Sequence, residues 1–440
     1  MAESVKVVKF GGSSLADAAQ FRKVAEIIKA DPARRYVVPS APGKRCPEDT
    51  KVTDMLYACY DKASKGLPID EDFTRIEARY NEIIRDLGLT LSLTKEFERI
   101  KQGFIGHAGR DYAASRGEYL NGMVLAEFLG FSFVDAAGVI FFDDSGRFDG
   151  ERTNTVLAER LQKLSHAVIP GFYGAMPNDT IKTFSRGGSD VTGSIVARAA
   201  EAACYENWTD VSGFLIADPR IVENPEAIEV ITYRELRELA YMGATVLHED
   251  SIFPVRQAGI PINIKNTNDP TAPGTLIVRD AAGRPERYTI TGIAGKKGFE
   301  SINIEKDMMN AEVGFGRRVL EVLEKNGINF EHLPSGIDTM SIVVNAGQLN
   351  GRLDAIVSEL KRAAGTDSIE VEKGLALLAI VGRGMRSTRG TAARVFAALA
   401  HAHINVKMID QGSSELNIIV GIDEGDFENA TRVIYDMFVN

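Results

Sequence analysis

The chain of 440 residues is long enough for about two to four domains, and its 44% hydrophobic and 25% charged residues are ordinary for a globular protein. A net charge of −10 argues against nonspecific nucleic-acid binding, and no apolar run reaches membrane-spanning length. Three widely spaced cysteines, Cys46, Cys59 and Cys204, make neither a disulfide framework nor a zinc pattern, and no signal-peptide core follows Met1, so a cytoplasmic protein without a metal site of its own is expected.

Residues 5–10, Val-Lys-Val-Val-Lys-Phe, read as a buried strand that ends in Gly11-Gly12-Ser13-Ser14. A helix follows from about Asp17 to Lys29, with Phe21, Val24, Ile27 and Ile28 on one face. Tyr36-Val37-Val38 is a second strand opening into Pro39-Ser40-Ala41-Pro42-Gly43. This β–glycine loop–α–β opening predicts an α/β domain with a mostly parallel sheet, whose ligands sit at the carboxyl ends of the strands, where Gly11, Gly12 and Ser40 fall. Lys9 has two readings there: a cation that neutralises a phosphate, or a strand-end lysine reaching solvent. The loop is neither a Walker A sequence nor Gly-x-Gly-x-x-Gly.

Residues 51–130 read mostly as helix: one starting at Lys51-Val52-Thr53-Asp54, one or two long amphipathic ones over 70–102, and one around Leu120–Leu129 after a polar loop, Ser115-Arg116-Gly117-Glu118. Glu118 is either a solvated acid at a helix start or a ligand-facing partner for an ammonium group. Phe131–Asp135 and Val168–Phe172 are predicted strands, and the six histidines show no ligand-like spacing.

The chain is organised around residues 183–193, where Arg186 and Asp190 flank Gly187-Gly188-Ser189 ahead of the helix-favouring run from Ser194 to Ala200. Paired glycines before a helix let the backbone approach an anion, and Arg186 suits a carboxylate or phosphate; a glycine turn with Asp190 as helix cap is the alternative. Glu206–Gly213 then reads as a strand ending in a polar turn, with Trp208 as pocket wall or core, and Ala217-Asp218-Pro219-Arg220 as a tight turn. Tyr233–Tyr241 is helical with Met242–His248 continuing it, Pro261–Lys265 and Thr275–Val278 are strands, and Arg279–Arg287 is a linker.

Beyond the linker the pattern repeats. Helix Arg317–Lys325, Gly327-Ile328-Asn329-Phe330, strand Met340–Asn345 and helix Gly351–Ala364 are answered by strand Leu375–Val381, helix Thr391–Ala402, His403-Ile404-Asn405-Val406, strand Glu415–Ile422 and helix Asp426–Phe438. That is an internal repeat of βαββαβ type, the architecture of small ligand sensors.

Lys9-Phe10-Gly11-Gly12-Ser13-Ser14, Arg186-Gly187-Gly188-Ser189-Asp190, Trp208-Thr209-Asp210-Val211 and Asp218-Pro219-Arg220 resemble aspartate kinases of the amino acid kinase superfamily. The C-terminal repeat resembles their paired ACT domains, through Val381-Gly382-Arg383-Gly384-Met385 and Ser413-Ser414-Glu415-Leu416-Asn417-Ile418. The resemblance covers nearly the whole chain. It implies an α/β kinase domain over 1–280 with a mostly parallel sheet between helices and a linker at 281–287. Two ferredoxin-like (βαββαβ) ACT domains would follow, the first (301–365) inserted within the second (288–300 and 372–440).

The resemblance further implies transfer of the γ-phosphoryl of ATP to the β-carboxylate of L-aspartate, the first step towards lysine, threonine and methionine. A carboxylate is already ionised at neutral pH and needs no general base, so catalysis rests on positioning and on offsetting negative charge. By resemblance, Lys9 neutralises the transferring phosphoryl and the Gly11 and Gly12 amides cradle phosphate with Ser13 beside them. Ser40, Thr53 and Ser189 line the substrate, Arg186 clamps its α-carboxylate, Glu118 takes its α-ammonium, and Asp190 organises the site. Thr209, Asp210 and Arg220 match nucleotide-pocket positions, and Mg2+ arrives with ATP. Lysine, threonine or both act as feedback effectors, with Met309, Phe315, Gly316, Phe330, Glu331 and Asp338 as candidate contacts, and ACT pairing implies a homodimer or larger homo-oligomer.

Four positions depart from the family pattern: Thr245 replaces a common phosphate-reaching lysine, Leu215 a tyrosine, Ser185 a glycine and Ser13 a threonine. Other kinases of this fold, such as those acting on N-acetylglutamate, usually lack the ACT repeat. A catalytically inactive amino-acid sensor is the reading that Thr245 motivates. No dehydrogenase half follows the second repeat, so a bifunctional kinase–homoserine dehydrogenase is not expected.

Overall fold

The structure is a computed structural model that describes residues 4–439, except 186, 245, 246, 248, 285, 286 and 350 and the side chains of 249 and 250. The chain divides into two units, one comprising Met1–Phe214, Glu229–Tyr233 and Val246–Ala282, the other Leu215–Ile228, Arg234–Thr245 and Gly283–Asn440. Among the described residues no helix is long and apolar enough to cross a membrane.

Chain order through the first unit runs β1 (Lys6–Phe10), α1 (Ala18–Lys29), β2 (Arg34–Pro39), α2 (Val52–Ala63), α3 (Asp70–Leu87), α4 (Thr94–Ile105), α5 (Arg110–Leu129), β3 (Ser132–Phe133), α6 (Gly150–Leu161) and β4 (Ala167–Val168). It continues with the hairpin β5 (Tyr173–Ala175) and β6 (Ile181–Thr183), then α7 (Gly188–Ala199), β7 (Cys204–Thr209), β8 (Val230–Thr232), α9 (Phe253–Ala258), β9 (Ile262–Asn266) and β10 (Thr275–Val278), while α8 (Tyr233–Tyr241), between β8 and α9 in the chain, belongs from Arg234 onward to the second unit. Eight of these strands form one sheet in the order β3-β4-β2-β1-β7-β9-β10-β8, parallel except between β9 and β10. Val7, Val8 and Phe10 are fully buried because β1 is central and helices cover both faces. Asp17 caps α1 by accepting from the Gln20 N–H at 2.9 Å, and Phe21, Val24, Ile27 and Ile28 form its buried face as expected.

Two helices begin earlier than their sequence suggests. Ser115-Arg116-Gly117-Glu118 is not a loop but lies inside α5, where residues 113–122 are all buried. A helix enclosed on every side shows no amphipathic stripe, so its start cannot be read from periodicity. α7 starts at Gly188, with Gly187 in the left-handed region at φ 54°, so Asp190 sits in the first turn rather than capping it. α8 ends at Tyr241 instead of continuing; residues 245, 246 and 248 of the expected continuation lie outside the described residues.

The second unit contains β11 (Gly292–Glu305), α10 (Phe315–Lys325), β12 (Phe330–His332), β13 (Thr339–Asn345), α11 (Ala346–Leu349), α12 (Leu353–Ala364), β14 (Ser368–Val381), α13 (Thr391–His401), β15 (Met408–Asp410), β16 (Asn417–Asp423) and α14 (Phe427–Val439). One antiparallel sheet in the order β12-β13-β11-β14-β16-β15 carries both repeats. β11 and β14, each 14 residues long, pair along their length with a register shift between Lys297 and Ser301. The Glu305 end of β11 carries β13, and the Val381 end of β14 carries β16. Ile302, Ile304, Val319, Val322, Ile342, Ile356 and Leu360 close a core between sheet and helices α10 and α12. Glu235 on α8, fully buried, accepts from Thr291 Oγ1 at 2.5 Å, from the Arg383 N–H at 3.0 Å and from its guanidinium at 3.0 Å.

Candidate active site

β1 and β7 are parallel neighbours with Lys9 opposite Asn207, and strand alternation sends both side chains to the face that α7 covers. Lys9 Nζ lies 2.6 Å from Asp190 Oδ1 and 3.3 Å from Asn207 Oδ1. The Asn207 amide donates to the same carboxylate oxygen at 2.9 Å, and the Tyr205 hydroxyl donates to the Asp190 carbonyl at 3.1 Å. Lys9 is thus buried and anchored, not a strand-end lysine reaching solvent. On the opposite face Glu206 takes Arg34 at 2.8 Å, Lys6 at 3.3 Å and the indole N–H of Trp208 at 2.9 Å, so Trp208 is core.

The loops after β1 and β2 meet backbone to backbone. The Gly43 N–H donates to Gly12 O at 2.8 Å, and a Cβ on Gly43 would stand 2.6 Å from the Gly12 carbonyl carbon. The Gly11 N–H already donates to Trp208 O at 3.1 Å, extending the β1–β7 ladder. Ser13 is exposed and opens a 3-10 turn, Ser14 is buried against Thr267 at 2.7 Å, and Ser40 donates its N–H to Phe10 O at 3.0 Å. The Ser40 carbonyl is held by the Asn121 amide at 2.7 Å.

Gly117 lets α5 lie against this loop and α2: a Cβ there would be 2.8 Å from Ala41 Cβ and 3.8 Å from Thr53 Oγ1. Beside it Glu118 is buried in mid-helix, which removes the solvated reading. Burial pushes its carboxyl up to about 8, an effect only partly offset by the Ala41 backbone N–H and the Arg116 charge. Its Oε2 has no hydrogen-bond partner. A buried carboxylate with an unsatisfied oxygen is a receptor for a cation.

At the other wall, Phe172 departs from the expected strand, which ends at Val168; it adopts φ 82° and packs its ring where a Cβ on Gly188 would be 2.2 Å away. Its N–H donates to Thr192 Oγ1 at 3.0 Å, and Thr192 donates to Gly188 O at 3.0 Å. Ser189 is buried beside Gly171, no side chain caps the first turn of α7, and Lys9 is paired with Asp190 in that turn. Arg186 lies outside the described residues, as does Thr245.

Thr209 closes β7 and donates to Asp210 at 3.2 Å, while Arg220, exposed, belongs to the second unit and pairs with Asp218. Of the expected effector contacts, Met309 and Phe315 are buried in the α10–α12 core and Gly316 lies in the first turn of α10. Phe330 is 45% exposed, Glu331 accepts from Tyr241, and Asp338 accepts the Met308 N–H at 2.9 Å. Sequence reasoning missed Asn207 and Asn121. A lone amide in an apolar strand signals the first; the second lies one turn beyond Glu118 and is visible only once α5 is started early enough.

Residues 4–266 match the amino acid kinase family and residues 378–438 match the ACT domain. Aspartokinase 3 of Bacillus subtilis is 40% identical over 99% of this chain and 98% of its own length. The crystal structure of Clostridium acetobutylicum aspartate kinase, described as an allosteric enzyme, is 53% identical with a TM-score of 0.92 over 99% of this chain and 100% of that one. E. coli aspartokinase III is 25% identical, with TM-scores of 0.71 as its R-state complex with aspartate and ADP and 0.73 as its T-state complex with lysine and aspartate, each covering at least 98% of both chains.

Proposed function

The chain belongs to the aspartokinases, phosphotransferases with an amino acid kinase domain and an ACT region, and on that premise we propose which residues carry the transfer. An ionised β-carboxylate oxygen of L-aspartate attacks the γ-phosphorus of ATP, the bond to the β-phosphate oxygen breaks, and ADP leaves with the electron pair; no proton moves. Lys9, oriented by Asp190 and Asn207, offsets charge on the transferring phosphoryl beside the first-turn amides of α7. Gly12 and Ser13 line the phosphate side with the Gly11 position, and Thr209 and Asp210 serve the nucleotide. Ser40, Thr53 and Ser189 line aspartate, and Arg186 takes its α-carboxylate. Mg2+ enters as part of the ATP complex, held by phosphate oxygens and water.

The observation that carries this reading is Glu118: buried, with one oxygen unpartnered, it calls for the α-ammonium of a free amino acid. Kinases of N-acetylated acids would leave it unsatisfied. Trapping the acyl phosphate as hydroxamate with MgATP and L-aspartate, L-glutamate or N-acetylglutamate tests it. Product from aspartate alone that is lost in Lys9→Ala supports the assignment; undiminished turnover in Lys9→Ala removes Lys9 from it.

Control by lysine or threonine through the ACT region follows the lysine complex of the E. coli relative. The unit would hold two ACT domains, 301–365 within 288–300 and 372–440, paired across a homodimer or larger homo-oligomer in the cytoplasm. Met309, Phe315, Gly316, Phe330, Glu331 and Asp338 mark the region for the effector, although the Met309 and Phe315 side chains are buried in the core. Either amino acid, added to the assay, is expected to change turnover or thermal stability; no response to both would remove this control.

A further inference from the structure

α3 buries Phe73, Ile76, Tyr80, Ile83 and Ile84, and Arg79 stands among them on the core-facing stripe. Arginine is rarely so placed, and Arg79 is only 5% exposed. Its guanidinium reaches two loops at once: one terminal nitrogen donates to Ala16 O at 2.9 Å and Gly43 O at 2.8 Å, and the other to Asp49 at 2.7 Å. Asp49 is itself held by the Arg45 N–H at 3.0 Å and side chain at 2.9 Å, and these contacts with Arg45 and Arg79 keep its carboxyl far below the usual range. Asp49 therefore stays ionised at any working pH.

Ala16 ends the turn that begins at Gly11-Gly12, and Gly43 lies in the loop that runs from Ser40 to α2. The Gly43 N–H to Gly12 O bond ties these loops on one side and Arg79 ties them on the other. We propose that Arg79 is a positioning residue for phosphoryl transfer, setting the gap between the Gly11-Gly12 loop and the Ser40–Gly43 loop. The inference rests on the reading that those loops carry the substrates. Desolvating a guanidinium costs several kcal/mol, and an apolar side chain would fill the α3 stripe more cheaply. A planar fork presents donors on two nitrogens to two carbonyls and a carboxylate in one fixed geometry, whereas the three N–H groups of a lysine ammonium converge on a single rotatable nitrogen.

The side chain borders a cavity of about 460 Å³ between α2 and α3, lined also by Asp49, Asp54, Met55 and Arg75. In Arg79→Ala this cavity gives a free guanidinium ion a route to the vacated position. Arg79→Ala is expected to lower kcat on the order of 30-fold, with KM for aspartate and ATP changed less than about threefold, because the loops are misplaced rather than lost. Guanidinium chloride at tens of millimolar is expected to restore a substantial part of kcat where sodium chloride does not. Arg79→Lys, which can still answer Asp49 and fold, is expected to lose about fivefold or more. Wild-type kcat in Arg79→Lys, or a folded Arg79→Ala with wild-type kcat or no response to guanidinium, overturns the inference. Lys9→Ala run alongside separates the two readings: if it is dead while the Arg79 variants turn over normally, only the positioning role falls, and if it is active, the site assignment falls first.

Discussion

Lys9 Nζ and Asp190 Oδ1 lie 2.6 Å apart, joining the central strand of the parallel sheet to the first turn of the helix that follows the Gly187-Gly188 pair. Both side chains are largely buried, and Asn207 bridges them. On the proposed assignment, the cation is held in place before any phosphate arrives, and little reorganisation is left for the transfer itself.

Removing that cation is expected to cost on the order of 100- to 1,000-fold in kcat. Asp190→Asn keeps the shape but not the counter-charge, and is expected to cost less than Lys9→Ala. Steady-state kinetics of the two variants checks the order; a larger loss in Asp190→Asn would assign the leading role to the carboxylate.

If Glu118 takes the substrate ammonium as proposed, aspartate binding is coupled to protons. Its carboxyl, raised to about 8 by burial, is mostly protonated at pH 7, and an incoming ammonium favours the ionised form. Binding is expected to release close to one proton near pH 7, less above pH 8, as read by calorimetry in buffers of different ionisation enthalpy. Glu118→Gln should bind with no such release and with weaker affinity.

The same group predicts a pH dependence of stability. The folded state keeps the proton up to about pH 8, while the unfolded carboxyl loses it near pH 4.3. Its contribution is therefore present below the unfolded value and is lost as pH rises from about 4.3 through 8. Thermal melts of the ligand-free protein should show this decline, and Glu118→Gln should flatten it.

Gly188→Ala places a methyl 2.2 Å from the Phe172 ring, on a residue already at φ 82°. Phe172 or the first turn of α7 must shift, carrying Ser189 and Asp190 with it. A kcat loss of about 100-fold is expected, with the protein still folded by circular dichroism. Normal kinetics would show that this turn has slack.

In the second unit, Glu235 is fully buried with Arg383 as its charged partner. Glu235→Ala should destabilise by about 3 kcal/mol, because it removes the buried carboxylate's ion pair with Arg383 together with its hydrogen bonds to Thr291 and the Arg383 backbone. Glu235→Leu combined with Arg383→Met should recover most of that in urea unfolding. Equal destabilisation by the double variant would mean that the hydrogen bonds to Thr291 and the Arg383 backbone matter more than the charge.

Much of the fold was legible as sequence. The β1–glycine loop–α1–β2 opening, the one-faced stripe of α1, the amphipathic pattern of α3 and α4, and the repeat that becomes one six-stranded sheet are patterns of neighbours along the chain. Such patterns report local free energies: strand alternation, helical period and turn residues act within a few positions. Lys9 and Asp190 stood out for the same reason, as charged residues beside glycines.

Tertiary structure alone decided the rest. α5 is enclosed on all sides, so its polar turn around Glu118 has no signature in one dimension, and the raised carboxyl is a property of what surrounds it. Asn207 acquires its place from register with Lys9 on a strand nearly 200 positions away. Arg79 binds backbone carbonyls of Ala16 and Gly43, and every residue carries a carbonyl, so no letter marks its partners. Composition and period determined which elements form; burial, register and backbone acceptors, which exist only between distant segments, decided what the charged residues do.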